Sequence, residues 1–216
     1  MRVLVLGSTG ASGRRIVERA LADGHHVTAF ARDVGRVAME HPLLARAAGD
    51  VTVASTLAAA VPGHDAVVWA VGGHDRLRDP LRQSRHAGVC AVGTANLLAV
   101  MAGTSARRLI CQSSWGVGDG RTRAPILYRR LVFPLLLADE LADKAEQERL
   151  IRASDLQWTI VRPARLTDTP GTGRYRAAPQ LRFSSRAHVA RADVAELIVR
   201  EIERPRFARQ TVEMSA

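Results

Sequence analysis

Gly7-Ser8-Thr9-Gly10-Ala11-Ser12-Gly13 is the stretch of this chain whose residue types and spacing point most directly to chemistry. It follows the apolar run "RVLVL" and opens the amphipathic run "RRIVERALAD". A first glycine lets the chain turn, a second leaves room for an anion against the backbone, and a third lets helix and strand pack closely. The amino end of the helix then offers free N–H groups and a partial positive charge to phosphates. The chemistry implied is dinucleotide binding; the plainer alternative is a tight strand-to-helix turn.

The next apolar run, "HVTAFA", is followed by Arg32 and Asp33. A site for NAD places an acid at the end of this second strand to hold the ribose hydroxyls. Ala31 stands there instead, and Arg32 beside it suits a 2′-phosphate by charge and by its planar fork. NADP(H) is therefore the expected coenzyme, with NAD(H) possible because Asp33 is close by. Arg14 and Arg15 could add charge. Asp50 and Val51 follow the third strand and would touch the adenine. Ala70, Val71, Gly72 and Gly73 would carry backbone close to the central riboses.

Lys144 is the sole lysine among 31 Lys and Arg residues. At a solvated surface the two residues do the same work, so a lysine kept in an arginine-biased chain suggests a need for a compact ammonium, such as holding ribose hydroxyls. The alternative is an exposed residue paired with Glu140 or Glu148 at helical spacing.

Alternating short apolar runs and longer helical stretches position these residues. Strands are expected at 2–6, 26–31, 46–51, 65–71, 107–114, 157–163 and 210–215, and helices at 14–23, 54–61, 86–103, 140–154 and 191–203. This pattern predicts an α/β fold of Rossmann type: one domain over 1–216, a doubly wound parallel sheet with helices on both faces, and a small C-terminal substrate-side region. Loops at about 114–137 and 163–188 follow strands five and six, where ligands bind in such sheets. Ser113 and Ser114 end the fifth strand, in place to contact a nicotinamide or its acceptor, or simply to satisfy strand-end backbone.

The net charge of +10 does not by itself imply nucleic acid, because the arginines are scattered and few aromatics interleave with them. No apolar run is long enough for a membrane span. The histidines, His25, His26, His64, His74, His86 and His188 among them, lack metal-ligand spacing, so no metal is expected. Cys90 and Cys111 read as buried thiols, consistent with a cytoplasmic protein.

The stretches "VLGSTGASG", "VTAFARD", "GDV", "DAVVWAVGG", "ICQSSWGVGDG", "DKAEQERLIRASDLQWTIVRPARLTDTPGTGRYR" and "RADVAELIV" together resemble the atypical short-chain dehydrogenase/reductase superfamily. Within it the chain is similar to the NAD(P)H-binding, NmrA-like group that includes biliverdin-IXβ/flavin reductase. The resemblance implies a nicotinamide coenzyme and a reductase. It carries Ser113, with Ser114 as the alternative, and Lys144 onto the catalytic serine and lysine. The tyrosine four residues before the lysine is absent, since Glu140 stands there. By the same resemblance Pro163 and Ala164 border the nicotinamide carboxamide. Arg165 would meet an acidic substrate or form a surface ion pair. Trp115 and the apolar segment 124–138 would line an acceptor pocket, pack as core or face a second subunit.

The expectation is an NADPH-dependent oxidoreductase passing hydride to a small aromatic, quinonoid or flavin-like acceptor, with no nucleic-acid or membrane partner. The alternatives are a non-catalytic redox sensor acting through a protein partner and an isomerase or dehydratase using the coenzyme transiently.

Overall fold

The computed structural model describes residues 1–72, 88–123, 126, 130, 137–184 and 186–216. Its first strand, β1 (Arg2–Leu6), is buried on both faces, as a continuous Val/Leu run requires. Val3 and Val5 point into one hydrophobic cluster and Leu4 and Leu6 into another. The period of two along one strand thus seeds both layers of the core.

β1 pairs in parallel with β2 (His26–Ala31) on one side and β4 (Ala66–Trp69) on the other. β3 (Leu44–Ala48) extends the sheet beyond β2, and β5 (Arg108–Gln112), β6 (Gln157–Pro163) and β10 (Gln210–Ser215) extend it beyond β4. The order is β3-β2-β1-β4-β5-β6-β10-β8, with β8 (Arg176–Ala178) the only antiparallel member of this sheet among the described residues. Chain direction across the sheet reverses between β1 and β4, the crevice where such folds bind ligands.

Helices α1 (Ala11–Ala22) and α5 (Arg191–Glu203) cover the face fed by Val3 and Val5. The opposite face is covered by α2 (Ala54–Ala60), α3 (Val89–Ala102) and α4 (Ala138–Arg152). A third, smaller cluster of Trp115, Val117, Leu141, Ala164 and Phe183 packs beneath the substrate-side loops.

Two local readings of the sequence shift. The third strand runs over 44–48 rather than 46–51: the Gly49 amide still bonds the Ala31 carbonyl at 3.0 Å, close under the Phe30 ring, and the chain then turns at 51–52. Within the expected loop 163–188 lie two short strands, β7 (Arg165–Thr167) and β8, and at its end begins β9 (His188–Ala190), which pairs in parallel with β7. Three residues carry too little alternation to announce a strand.

α1 starts at Ala11, so Gly13 lies inside it, and a Cβ there would sit 2.1 Å from the Gly7 carbonyl oxygen. Gly13→Ala is therefore expected to lower stability by at least about 2 kcal/mol in urea unfolding. A variant as stable as the wild type would contradict this packing of helix against loop.

Candidate cofactor-binding and active site

The glycine loop is built from three separate constraints. Gly7 has φ +82°, and a Cβ on it would lie 2.8 Å from the Ala70 and Val71 backbone. Ser8 is buried and donates its hydroxyl to the Phe30 carbonyl at 3.1 Å, tying the loop to β2. Gly10 has φ −75° and is exposed, and a Cβ there would meet only the Gly7 oxygen, at 3.4 Å. Gly7 and Gly13 are thus demanded by the fold, whereas Gly10 leaves open space at the mouth of α1. The first helical amide bond is Arg14 N–H to the Gly10 carbonyl, at 2.9 Å, so the amides of residues 11–13 precede the ladder. No acidic side chain stands in the first turn to neutralise them. Gln112 Nε2 donates to Ser12 Oγ at 3.1 Å from the end of β5, and the buried Gln112 Oε1 has no partner among the described residues.

At the ribose end, the three arginines singled out in the sequence separate. Arg15 pairs with Glu18 at 2.8 Å, and Arg14 Nε donates to the Thr9 carbonyl at 3.1 Å, bracing the loop. Arg32 is exposed and makes no hydrogen bond or ion pair among the described residues. Asp33 Oδ1 accepts from Gly35 N–H at 3.0 Å, capping a short 3-10 turn at Val34–Arg36. Asp50 Oδ1 accepts from both the amide and the hydroxyl of Thr52, at 2.9 and 2.8 Å, while Val51 is buried against Gly93.

The carboxyl edge of β4, β5 and β6 is organised by α4. The buried positions of this helix are Leu141, Lys144, Gln147, Glu148 and Ile151. Three of the five are polar, so the helix docks by specific bonds as well as by apolar area. Asp143 accepts from the Cys90 and Ala91 amides at 3.0 and 2.8 Å, capping α3, and Gln147 Nε2 donates to Thr94 Oγ1 at 2.8 Å. These bonds fix α4 against α3 and turn Lys144 and Glu148 toward the sheet edge.

Glu148 is wholly buried. Arg162 grips it with Nε to Oε1 at 2.9 Å and Nη2 to Oε2 at 2.6 Å, and Arg152 Nη2 adds a contact to Oε2 at 2.7 Å. The Ser113 hydroxyl donates to Glu148 Oε1 at 2.5 Å. Arg162 Nη1 also reaches Asp119 Oδ1 at 2.8 Å, and the loop at Gly118 and Gly120 passes across its guanidinium. Burial works against the Arg162 charge, but Glu148 and Asp119 more than restore it, raising its pKa.

Lys144 is only 4 % exposed and makes no salt bridge among the described residues. Its Nζ lies 3.8 Å from where a Cβ on Gly72 would stand, which places the ammonium at the end of β4. This removes the reading of an exposed residue paired with Glu140 or Glu148. Burial pulls its pKa down, but the ionisable groups around it, Cys90, Glu140, Cys111 and Glu148, raise it overall, and at neutral pH the two carboxylates sustain the ammonium.

The remaining sequence-predicted residues are distributed around this edge. Ser114 is half-buried. Trp115 packs edge-on against Phe183, ring centroids 5.1 Å apart. Pro163 has no N–H and its carbonyl accepts from Trp115 N–H at 3.1 Å, while Ala164 N–H is spent on the Met214 carbonyl at 2.8 Å. Backbone there can accept from a carboxamide but has no amide proton left at these two residues to give. Ala70 and Val71 sit beside Gly7. Arg165 is exposed on β7. Tyr175 packs against the α1/α5 cluster instead of this edge. Gly73, His74, His86, Tyr128 and most of the 124–137 segment lie outside the described residues. The sequence reading missed Gln112, Arg162 and Asp119 and gave Glu148 only a surface role. The signal available was a glutamate four residues after Lys144, followed by the buried-strand arginine of "VRP".

A Rossmann sheet, a glycine cradle at a helix mouth and a buried ammonium at the carboxyl edge define a nucleotide-binding protein. The chain belongs to the NAD(P)H-binding family, whose model matches residues 7–205. A chloroplastic uncharacterized protein of Arabidopsis thaliana, At2g34460, is 31% identical over all of this chain and 76% of its own length. The 3-diazoavenalumate denitrifying reductase of a Streptomyces species is 33% identical over 80% of this chain, and the match covers 58% of that protein. A short-chain dehydrogenase/reductase of Veillonella parvula, solved in complex with NADP, superposes with a TM-score of 0.82 at 19% identity, covering all of this chain and 94% of that one. This last likeness establishes the shared fold. No helix among the described residues is long and apolar enough to cross a membrane.

The residues present fit a dinucleotide on structural grounds. The space at Gly10, the uncapped α1 amides and the buried Lys144 ammonium, which makes no salt bridge among the described residues, are each left over by the fold itself. Burial pushes the Cys90 thiol up to about 11, Lys144 opposing, and holds the Cys111 thiol higher still. Both are therefore protonated at neutral pH. Native protein at pH 8 is expected to release no rapid thiol signal with Ellman's reagent, and two thiols once denatured. Fast native labelling would contradict their burial.

Proposed function

We propose that this chain is an NADPH-dependent reductase that passes hydride to a small aromatic, quinonoid or flavin-like acceptor. The observation that carries the reading is Lys144: a buried ammonium that makes no salt bridge among the described residues, set at the sheet edge beside Gly72. Glu140 and Glu148 offset its charge without touching it, and the ribose hydroxyls of a bound nucleotide would supply the direct partners that a buried ammonium needs. The α1 amides and Gly7–Gly13 would hold the pyrophosphate, Arg32 the 2′-phosphate, and Asp50 and Val51 the adenine side. NADPH supplies the hydride when bound. Ser113 orients the carboxamide or the acceptor, Lys144 holds the ribose or polarises nearby water, and the proton that follows the hydride comes from solvent. Trp115 and the loops around it border the acceptor. The Streptomyces relative is named a reductase, which supports this reaction class. The free thiols Cys90 and Cys111 accord with a cytoplasmic setting.

Glu140, standing four residues before Lys144 in place of a tyrosine, favours a second reading: a redox sensor that binds the coenzyme without turnover. One assay separates the two. Purified protein with NADPH and a panel of FMN, quinones and aromatic ketones is expected to lose absorbance at the nicotinamide band in an acceptor-dependent way. Binding without oxidation would replace the reductase with the sensor. Ser113→Ala and Lys144→Arg are each expected to cut turnover at least roughly tenfold with cooperative unfolding retained; unchanged rates in both would remove these residues from the site. Arg32→Ala is expected to raise KM for NADPH at least roughly tenfold and leave NADH nearly unaffected. An equal loss for both would overturn the coenzyme preference.

A further inference from the structure

Ser113 has one hydroxyl proton, and the structure shows where it goes. Glu148 Oε1 lies 2.5 Å from Ser113 Oγ, and this carboxylate is faced by two guanidiniums, Arg162 through two nitrogens and Arg152 through one. Such a carboxylate is ionised and can only accept. Ser113 must therefore be the donor, and its remaining capacity is lone pairs.

We propose that Glu148 is a positioning residue that fixes Ser113 as a hydrogen-bond acceptor, so that the ligand group meeting Ser113 is an N–H or O–H donor, supplied by the carboxamide amine of a bound nicotinamide. This rests on the reading of the site as a nicotinamide site. The location agrees with it. Ser113 N–H bonds the Val161 carbonyl and Trp115 N–H bonds the Pro163 carbonyl, so Ser113 lies beside the carboxyl end of β6, on the edge where a parallel sheet receives its ligand. A ketone or aldehyde oxygen, which needs a proton donor, finds none on Ser113. The same arrangement ties the serine to the substrate-side loops. Arg162, which orients Glu148, is bonded to Asp119 in one loop, and Glu213, 3.9 Å from Arg162, accepts from Leu181 N–H in the other.

The test compares binding of two probes by calorimetry, without any acceptor: NADPH, and its reduced 3-acetylpyridine analogue, in which a methyl group replaces the carboxamide amine. Wild-type protein is expected to prefer NADPH by roughly five- to hundredfold, the range for leaving one buried acceptor unmatched. Ser113→Ala removes the acceptor and should abolish most of that preference. Glu148→Gln leaves Ser113 intact but reverses the bond. The glutamine oxygen is drawn to the Oε2 position, which faces two guanidinium nitrogens against one, Arg162 Nε, at Oε1, so its amine turns toward Ser113 and the serine proton outward. The preference should then fall or invert. Glu148→Asp keeps the charge facing the arginines while drawing back from Ser113, so it should keep a cooperative melt and lose the preference. Equal affinity for the two probes in the wild type, or full preference retained in Glu148→Gln or Glu148→Asp, would overturn the proposal. Absence of binding by either probe would overturn the nicotinamide site itself and this inference with it, and is distinguishable because no variant is then needed.

Discussion

The site depends on how closely α1 approaches the loop that precedes it. Gly13 lies so near the Gly7 carbonyl that no side chain fits between them, and Gly7 itself lies against the Ala70 backbone at the end of β4. Three segments, the end of β1, the start of α1 and the end of β4, therefore meet backbone to backbone. This contact aims the amino end of α1 at the crevice between β1 and β4, where the sheet reverses direction. Its uncapped amides become a fixed concentration of partial positive charge at the place where an anion can reach them. Everything on the far side of the crevice, from Lys144 to Ser113, acquires meaning only in relation to that anion-binding mouth.

The far side is held by polar chemistry. Two buried ionic assemblies stand at opposite ends of the sheet among the described residues. At the amino edge Arg108 bonds the Glu201 carbonyl and carboxylate, Thr159 and the Gln157 carbonyl, so each of its three nitrogens donates within the protein. At the carboxyl edge Glu148 is equally engaged, but one of its bonds goes to Ser113, and Lys144 one helical turn earlier makes no salt bridge among the described residues. The first assembly is a closed structural unit. The second ends in groups with capacity left over, which distinguishes a site from a buried ion pair.

Much of this was legible in the sequence and some was not, for identifiable reasons. The Val/Leu run of β1, the glycine spacing after it and the missing acid after β2 are local signals, and a parallel sheet follows from their repetition. The lone lysine could be singled out but not placed, because exposure of a helical residue is set by what packs against it. On α4 the inward stripe carries Lys144, Gln147 and Glu148 where periodicity looks for apolar residues, so that face reads as solvated in a linear reading. Arg162 inside the apolar strand "QWTIVRP" is the counterpart that makes a buried Glu148 tolerable, and the two are brought together only by the fold. β7 and β8 do not announce themselves, because strands of three residues owe their existence to neighbours and their own pattern is too short to show it.

On the proposed function, the open space at the mouth of α1 is kept for a nucleotide phosphate and is not required by folding. Gly10 decides this, since its backbone is one any residue adopts and a methyl group there meets nothing closer than 3.4 Å. The direct measurement is calorimetric titration of NADPH into wild type and Gly10→Ala, with urea unfolding of both. The account predicts unfolding free energies within about 1 kcal/mol of each other and NADPH affinity lower by more than roughly tenfold in the variant. Equal affinity for NADPH in the two proteins, or a loss of stability with binding unchanged, would contradict it.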